Sequence, residues 1–273
     1  MSLVLNNVAV AVSDKHLIQD ISISCEPGKI LGVVGENGAG KSTLLNVISG
    51  MTLPSQGSVS LNSKPMTNYS NKDLAKIRSV LPQGNELTFP LPCVEVVRLA
   101  IQLGDLSIPE QNVLIQECLA IFDVLHLANQ NYLSLSGGEK QRVQLSRVLA
   151  QLQCHRVRMA GYLLLDEPIS ALDVYQQYKT LAVLKQLASD GIGIIVILHD
   201  LNLASMFCHH IAVIKGGRLV GKGEPADVVT PATIKDAFGI EANIQNHPDT
   251  GTPMVLPKVT HSNESIKITS LLP

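Results

Sequence analysis

The chain has 273 residues, 45% of them hydrophobic and 3% aromatic, and a formal net charge of −2 at pH 7. This length suffices for one large α/β domain, and the lack of a basic footprint and of tryptophan excludes nucleic acid as an expected partner. The longest apolar run, residues 192–198, is far shorter than the roughly 20 residues that span a bilayer. Any role at a membrane is therefore expected to come through a partner.

The first predicted elements along the chain are strands. Residues 3–12 and 17–25 alternate apolar and polar positions, which predicts an antiparallel pair. The apolar run at 30–34 predicts a buried parallel strand, and residues 41–48 predict the helix that this strand feeds. We therefore expect an antiparallel β lobe beside the start of a parallel sheet.

A glycine-rich loop connects that parallel strand to that helix. It consists of Gly35, Glu36, Asn37, Gly38, Ala39, Gly40, Lys41, Ser42 and Thr43, a Gly-x-x-x-x-Gly-Lys-Ser pattern. In such a loop the backbone N–H groups and the helix N-terminus hold phosphates, the lysine reaches the β- and γ-phosphates, and the serine hydroxyl ligates Mg²⁺. The loop therefore predicts that the chain binds ATP or GTP together with Mg²⁺.

The pattern changes in the middle of the chain. Short strands are predicted at 59–61 and 80–82, with a helix at 71–78 between them. From about residue 84 to residue 155, helical periodicity with polar joints dominates, for example at 109–125. This stretch predicts an inserted α-helical lobe.

Strand and helix alternate again from residue 162 onward. Apolar strands are predicted at 162–165, 192–198 and 211–214, with helices at 174–187 and from residue 201. Such alternation is typical of a mostly parallel sheet covered by helices on both faces.

Two acids follow the strand predicted at 162–165. Asp166 and Glu167 would lie at the carboxyl edge of the sheet, beside the phosphate loop. Asp166 is suited to hold the Mg²⁺ shell, and Glu167 is suited to accept a proton from the attacking water. Such a pair alone is more often a solvated turn, but a phosphate loop in the same chain favours the catalytic interpretation.

A second glycine turn precedes another predicted helix. Ser136, Gly137 and Gly138 open a helix whose apolar face continues to residue 149. A turn of this kind is either a plain helix cap or an anion site. Because the chain has no second set of phosphates to place there, we expect this turn to contact the γ-phosphate held by another copy of the chain.

Taken together, these motifs resemble those of ABC-type ATPases, the nucleotide-binding subunits of transporters. The resemblance extends from residue 3 to about residue 240. The corresponding segments are 35–43 for Walker A, Gln83 for the Q-loop, 135–142 for the signature, 163–167 for Walker B, 170–173 for the D-loop and His199 for the switch histidine.

The resemblance implies an α/β fold, a P-loop NTPase of ABC type with a mostly parallel sheet core, an antiparallel β lobe and an inserted α-helical lobe. It assigns residues 1–240 to one ATPase domain, with the helical lobe at about 84–155. Residues 241–273, with weak periodicity and several prolines, are predicted to form a loosely packed C-terminal extension.

The resemblance also implies roles for single residues and partners. Two copies would form a head-to-tail dimer with ATP held between the Walker A motif of one copy and the signature of the other. Glu167 and His199 would be catalytic, with His199 against the γ-phosphate. Gln83 would ligate Mg²⁺ beside Ser42 and Asp166, and would sense the transmembrane partner. A lone histidine or loop glutamine is otherwise more often structural.

One departure from the family pattern concerns the base. Many members stack an aromatic residue on adenine, and the corresponding position in this sequence is Val12. An aliphatic side chain stacks less well than a ring. Adenine recognition is therefore expected to be weak or to come from other residues.

Within the family, segments 137–152, 170–177 and 198–204 most resemble the ATP-binding subunits of haem importers. This implies a peripheral subunit at the cytoplasmic face of the inner membrane, which powers haem uptake through transmembrane permease subunits served by a periplasmic haem-binding protein. The alternatives are a vitamin B12 or ferric-siderophore importer and a soluble ABC ATPase outside transport. The cargo does not contact this subunit, so no residue of the chain identifies it.

Overall fold

A computed structural model describes residues 2–13, 15–84, 87–155 and 161–258 of the chain. The strands are β1 (Leu3–Val12), β2 (Lys15–Cys25), β3 (Ile30–Gly35), β4 (Gln56–Leu61), β5 (Lys64–Pro65), β6 (Arg78–Leu81), β7 (Tyr162–Asp166), β8 (Gly193–Ile197), β9 (His210–Lys215), β10 (Arg218–Gly223), β11 (Ala242–Asn246) and β12 (Pro253–Pro257). The helices are α1 (Lys41–Ile48), α2 (Asn71–Ile77), α3 (Cys93–Ala100), α4 (Ile108–Ile121), α5 (Gly137–Gln153), α6 (Val174–Ser189), α7 (Leu201–Phe207), α8 (Pro225–Val228) and α9 (Pro231–Phe238).

The central sheet has six strands in the order β10-β9-β3-β8-β7-β6. β9, β3, β8, β7 and β6 are parallel, and β10 joins one edge in the antiparallel direction. β3, β7 and β8 are apolar runs because both of their faces are covered. The predicted, mostly parallel sheet is confirmed. Since β8 lies between β3 and β7, the segments that follow these three strands meet at one edge.

The β lobe is a four-stranded sheet in the order β2-β1-β4-β5, and its pairings are antiparallel. Leu3, Leu5 and Ile21 point into a core that this sheet shares with α1 and with one face of the central sheet. The predicted antiparallel pair is therefore present, and it begins the chain as expected. Its second strand starts at Lys15, earlier than predicted, because Lys15 pairs with Val12 across the turn.

α3, α4 and α5 pack together as the helical lobe. Its core includes Cys93 and Val96 of α3 and Cys118 of α4, which are fully buried. α4 ends at Ile121, earlier than predicted, because Asp123 has a positive φ of 60° and turns the chain. In the ranges that the structure describes, none of the helices is long and apolar enough to cross a membrane.

The C-terminal segment differs from its prediction. β11 and β12 form an antiparallel hairpin, and Ala242 and Val255 are buried at 4% and 6% exposure. The expectation of loose packing is wrong for residues 242–257, because the two strands pair along their whole length and β12 is hydrogen-bonded to α7. The periodicity is weak because few of these residues are buried, and Pro253 and Pro257 are tolerated at the ends of β12. Residues 259–273 lie outside the described ranges.

Candidate nucleotide-binding site

The phosphate loop is shaped by glycines between β3 and α1. Gly40 has φ 103°, and a Cβ there would lie 2.8 Å from the carbonyl oxygen of Leu17. At Gly35, a Cβ would lie 2.1 Å from the carbonyl oxygen of Ile214. Only glycine fits these close approaches. α1 starts at this loop without a capping side chain and without an acid in its first turn, so its N-terminal N–H groups remain available to an anion.

Lys41 is a buried cation held by the curve of the loop. Its Nζ donates to the carbonyl oxygens of Gly35 and Glu36, at 2.8 Å each. Burial lowers the pKa of Lys41, and the nearby carboxylates of Glu167 and Asp166 act in the opposite direction. Burial disfavours the charged form of Lys41, and a phosphate beside the ammonium would stabilise that form.

A cavity of about 610 Å³ opens over the loop. It brings together the start of β2 and the segments that follow five strands of the central sheet, β3, β6, β7, β8 and β9. Its lining consists of Lys15, His16, Leu17, Asn37, Gly38, Gly40, Lys41, Ser42, Thr43, Gln83, Glu167, His199, Gly216 and Gly217. Three of the predicted loop residues do not line it: Gly35 ends β3, Glu36 is exposed and Ala39 is buried.

Asp166 ends β7 and is buried at 5% exposure. Its carboxylate accepts a hydrogen bond from the Ser42 side chain, yet Oδ1 has no partner among the described residues. Burial raises the pKa of Asp166, and the Ser42 hydrogen bond opposes that shift. A buried carboxylate oxygen without a partner fits a cation, because a cation would supply the charge and the contact that this oxygen lacks.

Glu167 and His199 contact each other at the edge of the cavity. His199 Nε2 lies 2.6 Å from Glu167 Oε1. Glu167 has a positive φ of 50°, a conformation that costs free energy and that surrounding contacts must maintain. Its carbonyl oxygen accepts from Ser170 Oγ at 3.1 Å and from Gln141 Nε2 at 3.4 Å. The contact between the two predicted catalytic side chains was not foreseen from the sequence.

The predicted signature residues lie elsewhere. Ser136 caps α5, and Gly137 and Gly138 form its first turn, outside the lining of the cavity. A Cβ on Gly138 would lie 3.0 Å from the carbonyl oxygen of Ala171, so this turn packs against the segment at 170–173 of the same chain. The structure therefore brings Lys41, Ser42, Gln83, Glu167 and His199 together and leaves Ser136, Gly137 and Gly138 apart from them.

The position aligned with the adenine-stacking residue also lies away from the cavity. Val12 is 60% exposed at the end of β1 and does not line the cavity. The nearby ring that does line it belongs to His16, which sequence reasoning missed. In the sequence, the one feature that could have suggested a base contact at His16 is its planar ring, four residues after Val12.

Comparison with known proteins decides the family. A family described as ABC transporter matches residues 18–170. The chain is 40% identical over 259 residues to the hemin import ATP-binding protein HmuV of Bordetella avium (strain 197N), which covers 94% of this chain and 99% of that protein. This chain belongs to the ABC transporter family. A second HmuV, from Gloeobacter violaceus, is 40% identical over 252 residues and covers 92% of each chain.

The ABC fold is also found in solved structures. A dimeric ATP-binding cassette in a post-hydrolysis state, bound to ADP and Pi, matches with a TM-score of 0.71 at 26% identity, over 81% of this chain and 98% of that one. The predicted ABC-type fold is confirmed. As a member of this family the chain is an ATPase subunit that binds ATP and works with membrane-embedded subunits of a transporter.

Proposed function

We propose that this chain is the ATP-hydrolysing subunit of an importer that takes haem (hemin) across the inner membrane. The observation that carries the proposal is the 40% identity, over 94% of this chain and 99% of the relative, to a hemin import ATP-binding protein. The cavity supports the ATPase part, because it gathers a lysine, a hydroxyl, a carboxylate and a histidine around a phosphate loop.

In this proposal the phosphates of ATP lie on residues 35–43, with Lys41 beside the β- and γ-phosphates. Ser42, Asp166 and Gln83 would hold Mg²⁺. The unpartnered oxygen of Asp166 supports this assignment, since Mg²⁺ is usually bound by one or two carboxylates together with substrate phosphates. When bound, Mg²⁺ neutralises the charge that develops on the phosphate oxygens.

Hydrolysis is assigned to Glu167 and His199. Glu167 would accept a proton from the attacking water, and His199 would contact the γ-phosphate. Their 2.6 Å contact supports a shared role, because it holds both side chains at the edge of the cavity where the γ-phosphate would lie.

The signature turn is assigned to the partner's nucleotide. Ser136, Gly137 and Gly138 would face the γ-phosphate bound to the second copy in a head-to-tail dimer. Their absence from the lining of the cavity in their own chain supports action in trans. The similarity to a dimeric cassette bound to ADP and Pi supports the dimer.

The helical lobe is assigned to the permease. We infer that transmembrane subunits dock on residues 83–133, where apolar side chains such as Phe89 (68% exposed) and Leu103 (63% exposed) face solvent. The chain would then be peripheral, at the cytoplasmic face of the membrane. A periplasmic haem-binding protein would deliver cargo to the permease and would not contact this chain.

Reconstitution tests the proposal. The chain is assembled in vesicles with the permease encoded beside it, and binding proteins loaded with haem, cobalamin or a ferric siderophore are supplied in turn. ATP-dependent accumulation of haem is expected, with the Glu167→Gln complex as the inactive control. Transport of cobalamin or a siderophore without haem would assign the chain to another importer. ATPase activity that no permease or cargo alters would favour a soluble ATPase.

A further inference from the structure

The C-terminal hairpin is attached to α7 by side chains of that helix. Asn202 Oδ1 accepts from the backbone N–H of Val255 at 2.7 Å, and Asn202 Nδ2 donates to the Val255 carbonyl at 3.3 Å. Ser205 Oγ donates to the Pro253 carbonyl at 2.6 Å. Ser205 and Val255 are 1% and 6% exposed and Asn202 is half-buried, so water has little access to these bonds. The amide of Asn202 therefore pairs with β12 much as a neighbouring strand would.

The same helix begins at the candidate site. α7 is 7 residues long, and Asp200 is its N-cap, directly after His199. Asp200 Oδ1 accepts from the backbone N–H groups of Asn202 and Leu203, at 2.7 and 3.0 Å. A helix this short is unstable by itself, so its position depends on tertiary contacts. Asn202 supplies two of them through its side chain, which bonds both the N–H and the carbonyl of Val255.

His199 has little packing of its own. Its side chain is 45% exposed, and its Nε2 contacts Glu167 Oε1 at 2.6 Å. The position of its ring therefore follows from the backbone on either side. On one side, Leu198 N–H donates to the Val33 carbonyl at 3.1 Å and fixes the end of β8. On the other side, the cap and the Asn202 contacts fix the start of α7.

We propose that Asn202 is a positioning residue for ATP hydrolysis: through the hairpin at 242–257 it fixes α7 and thereby holds His199 against Glu167. The proposal rests on the proposed roles of His199 and Glu167. The hairpin needs α7 in turn, because a single two-stranded hairpin is marginally stable in water. ATP binding is independent of this contact, since the phosphate loop belongs to β3 and α1.

The test compares Asn202→Ala with Thr230→Ala in the full chain. Thr230 caps α9, which packs against β11, so its loss removes a hydrogen bond of similar kind without touching α7. Both variants are expected to lower Tm slightly. Asn202→Ala is expected to lower kcat by roughly tenfold, because small displacements of catalytic groups are costly. Its KM for ATP should stay near the wild-type value, and Thr230→Ala should keep wild-type kcat.

A double variant separates positioning from general destabilisation. If Asn202 acts through His199, Asn202→Ala should lower kcat no further in a His199→Ala background, while its Tm shift persists. Asn202→Asp keeps the acceptor for the Val255 N–H and should restore part of kcat; it carries the same test if the alanine variant does not fold. Wild-type kcat in Asn202→Ala, or losses that add in the double variant, would overturn the inference. An active His199→Ala would overturn the proposed role of His199 together with it.

Discussion

α1 and α5 both begin at a glycine turn, yet the two turns are satisfied differently. α1 has no capping side chain and no acid in its first turn. α5 is capped by Ser136, and the Glu139 carboxylate accepts from the Ser136 backbone N–H at 2.8 Å. The Ser136 side-chain hydrogen bond holds the pKa of Glu139 below its usual range, so this turn carries a negative charge. The α1 turn is therefore better suited than the α5 turn to bind phosphate without help from another chain.

The largest expected effect is on the rate of ATP hydrolysis at the phosphate loop that precedes α1. Glu167→Gln removes the proposed base but keeps the shape of the side chain and the Mg²⁺ shell, so hydrolysis should fall by roughly 10²-fold while ATP binding stays intact. ATPase rate and ATP-dependent dimerisation are measured on the same sample. More than about a tenth of wild-type turnover would contradict the assignment of Glu167 as the base.

Mixing two inactive chains tests whether the α5 turn serves the partner. Lys41→Ala disables the phosphate loop and Ser136→Arg disables the signature turn. In a mixed dimer, one interface pairs an intact loop with an intact turn, so activity should return. A chain that carries both changes serves as the control, because when mixed with Lys41→Ala it leaves no intact phosphate loop. Mixtures no more active than either parent would count against action in trans, unless the two sites are strictly coupled.

The phosphate-loop part of the site could be predicted from the sequence because its residues lie close together along the chain. A buried strand, a glycine loop and a helix follow one another at residues 30–48, and Asp166 and Glu167 directly follow an apolar strand. Parallel strands then bring these segments to one edge without further information. The order of motifs along the chain was enough to recognise the family and its fold.

What the sequence did not reveal depends on contacts between distant residues. Asn202 and Val255 are separated by 53 positions, and their bond involves the main chain of β12, which leaves no mark on periodicity. The contact between Glu167 and His199 requires the spacing of β7 and β8 in the sheet. His16 lines the cavity because β2 passes beside the loop, whereas alignment by motif spacing pointed to Val12.

A smaller effect is expected for the base. If the ring of His16 contacts adenine in the cavity, His16→Ala should weaken ATP binding by less than the roughly 1–3 kcal/mol that a full aromatic stack contributes. Val12→Ala is the matched control, since Val12 is on the same hairpin but not in the cavity, and it should leave affinity unchanged. Nucleotide affinities are measured for ATP and GTP by titration. A loss for Val12→Ala but not for His16→Ala would return the base contact to Val12.

The smallest effects are on stability without nucleotide, and they compare the cap of α5 with Asp166, the carboxylate that is hydrogen-bonded by Ser42 at the start of α1. Ser136→Ala removes a satisfied cap and should cost about 1 kcal/mol, which lowers Tm by roughly 2 °C.

Asp166→Asn should raise Tm instead. Burial holds the folded-state pKa of Asp166 above its unfolded value, so the ionised carboxylate destabilises the fold at neutral pH, and that cost disappears as the pH falls through the raised value. The gain from Asp166→Asn should therefore be largest at neutral pH and shrink in acid. With ATP and Mg²⁺ present, wild type should gain more stability than Asp166→Asn, because the asparagine cannot supply the charge that the cation requires. Equal Tm losses for both variants at neutral pH would mean that the Asp166 carboxylate is as well satisfied as the Ser136 cap, which would contradict the need for a cation at its unpartnered oxygen.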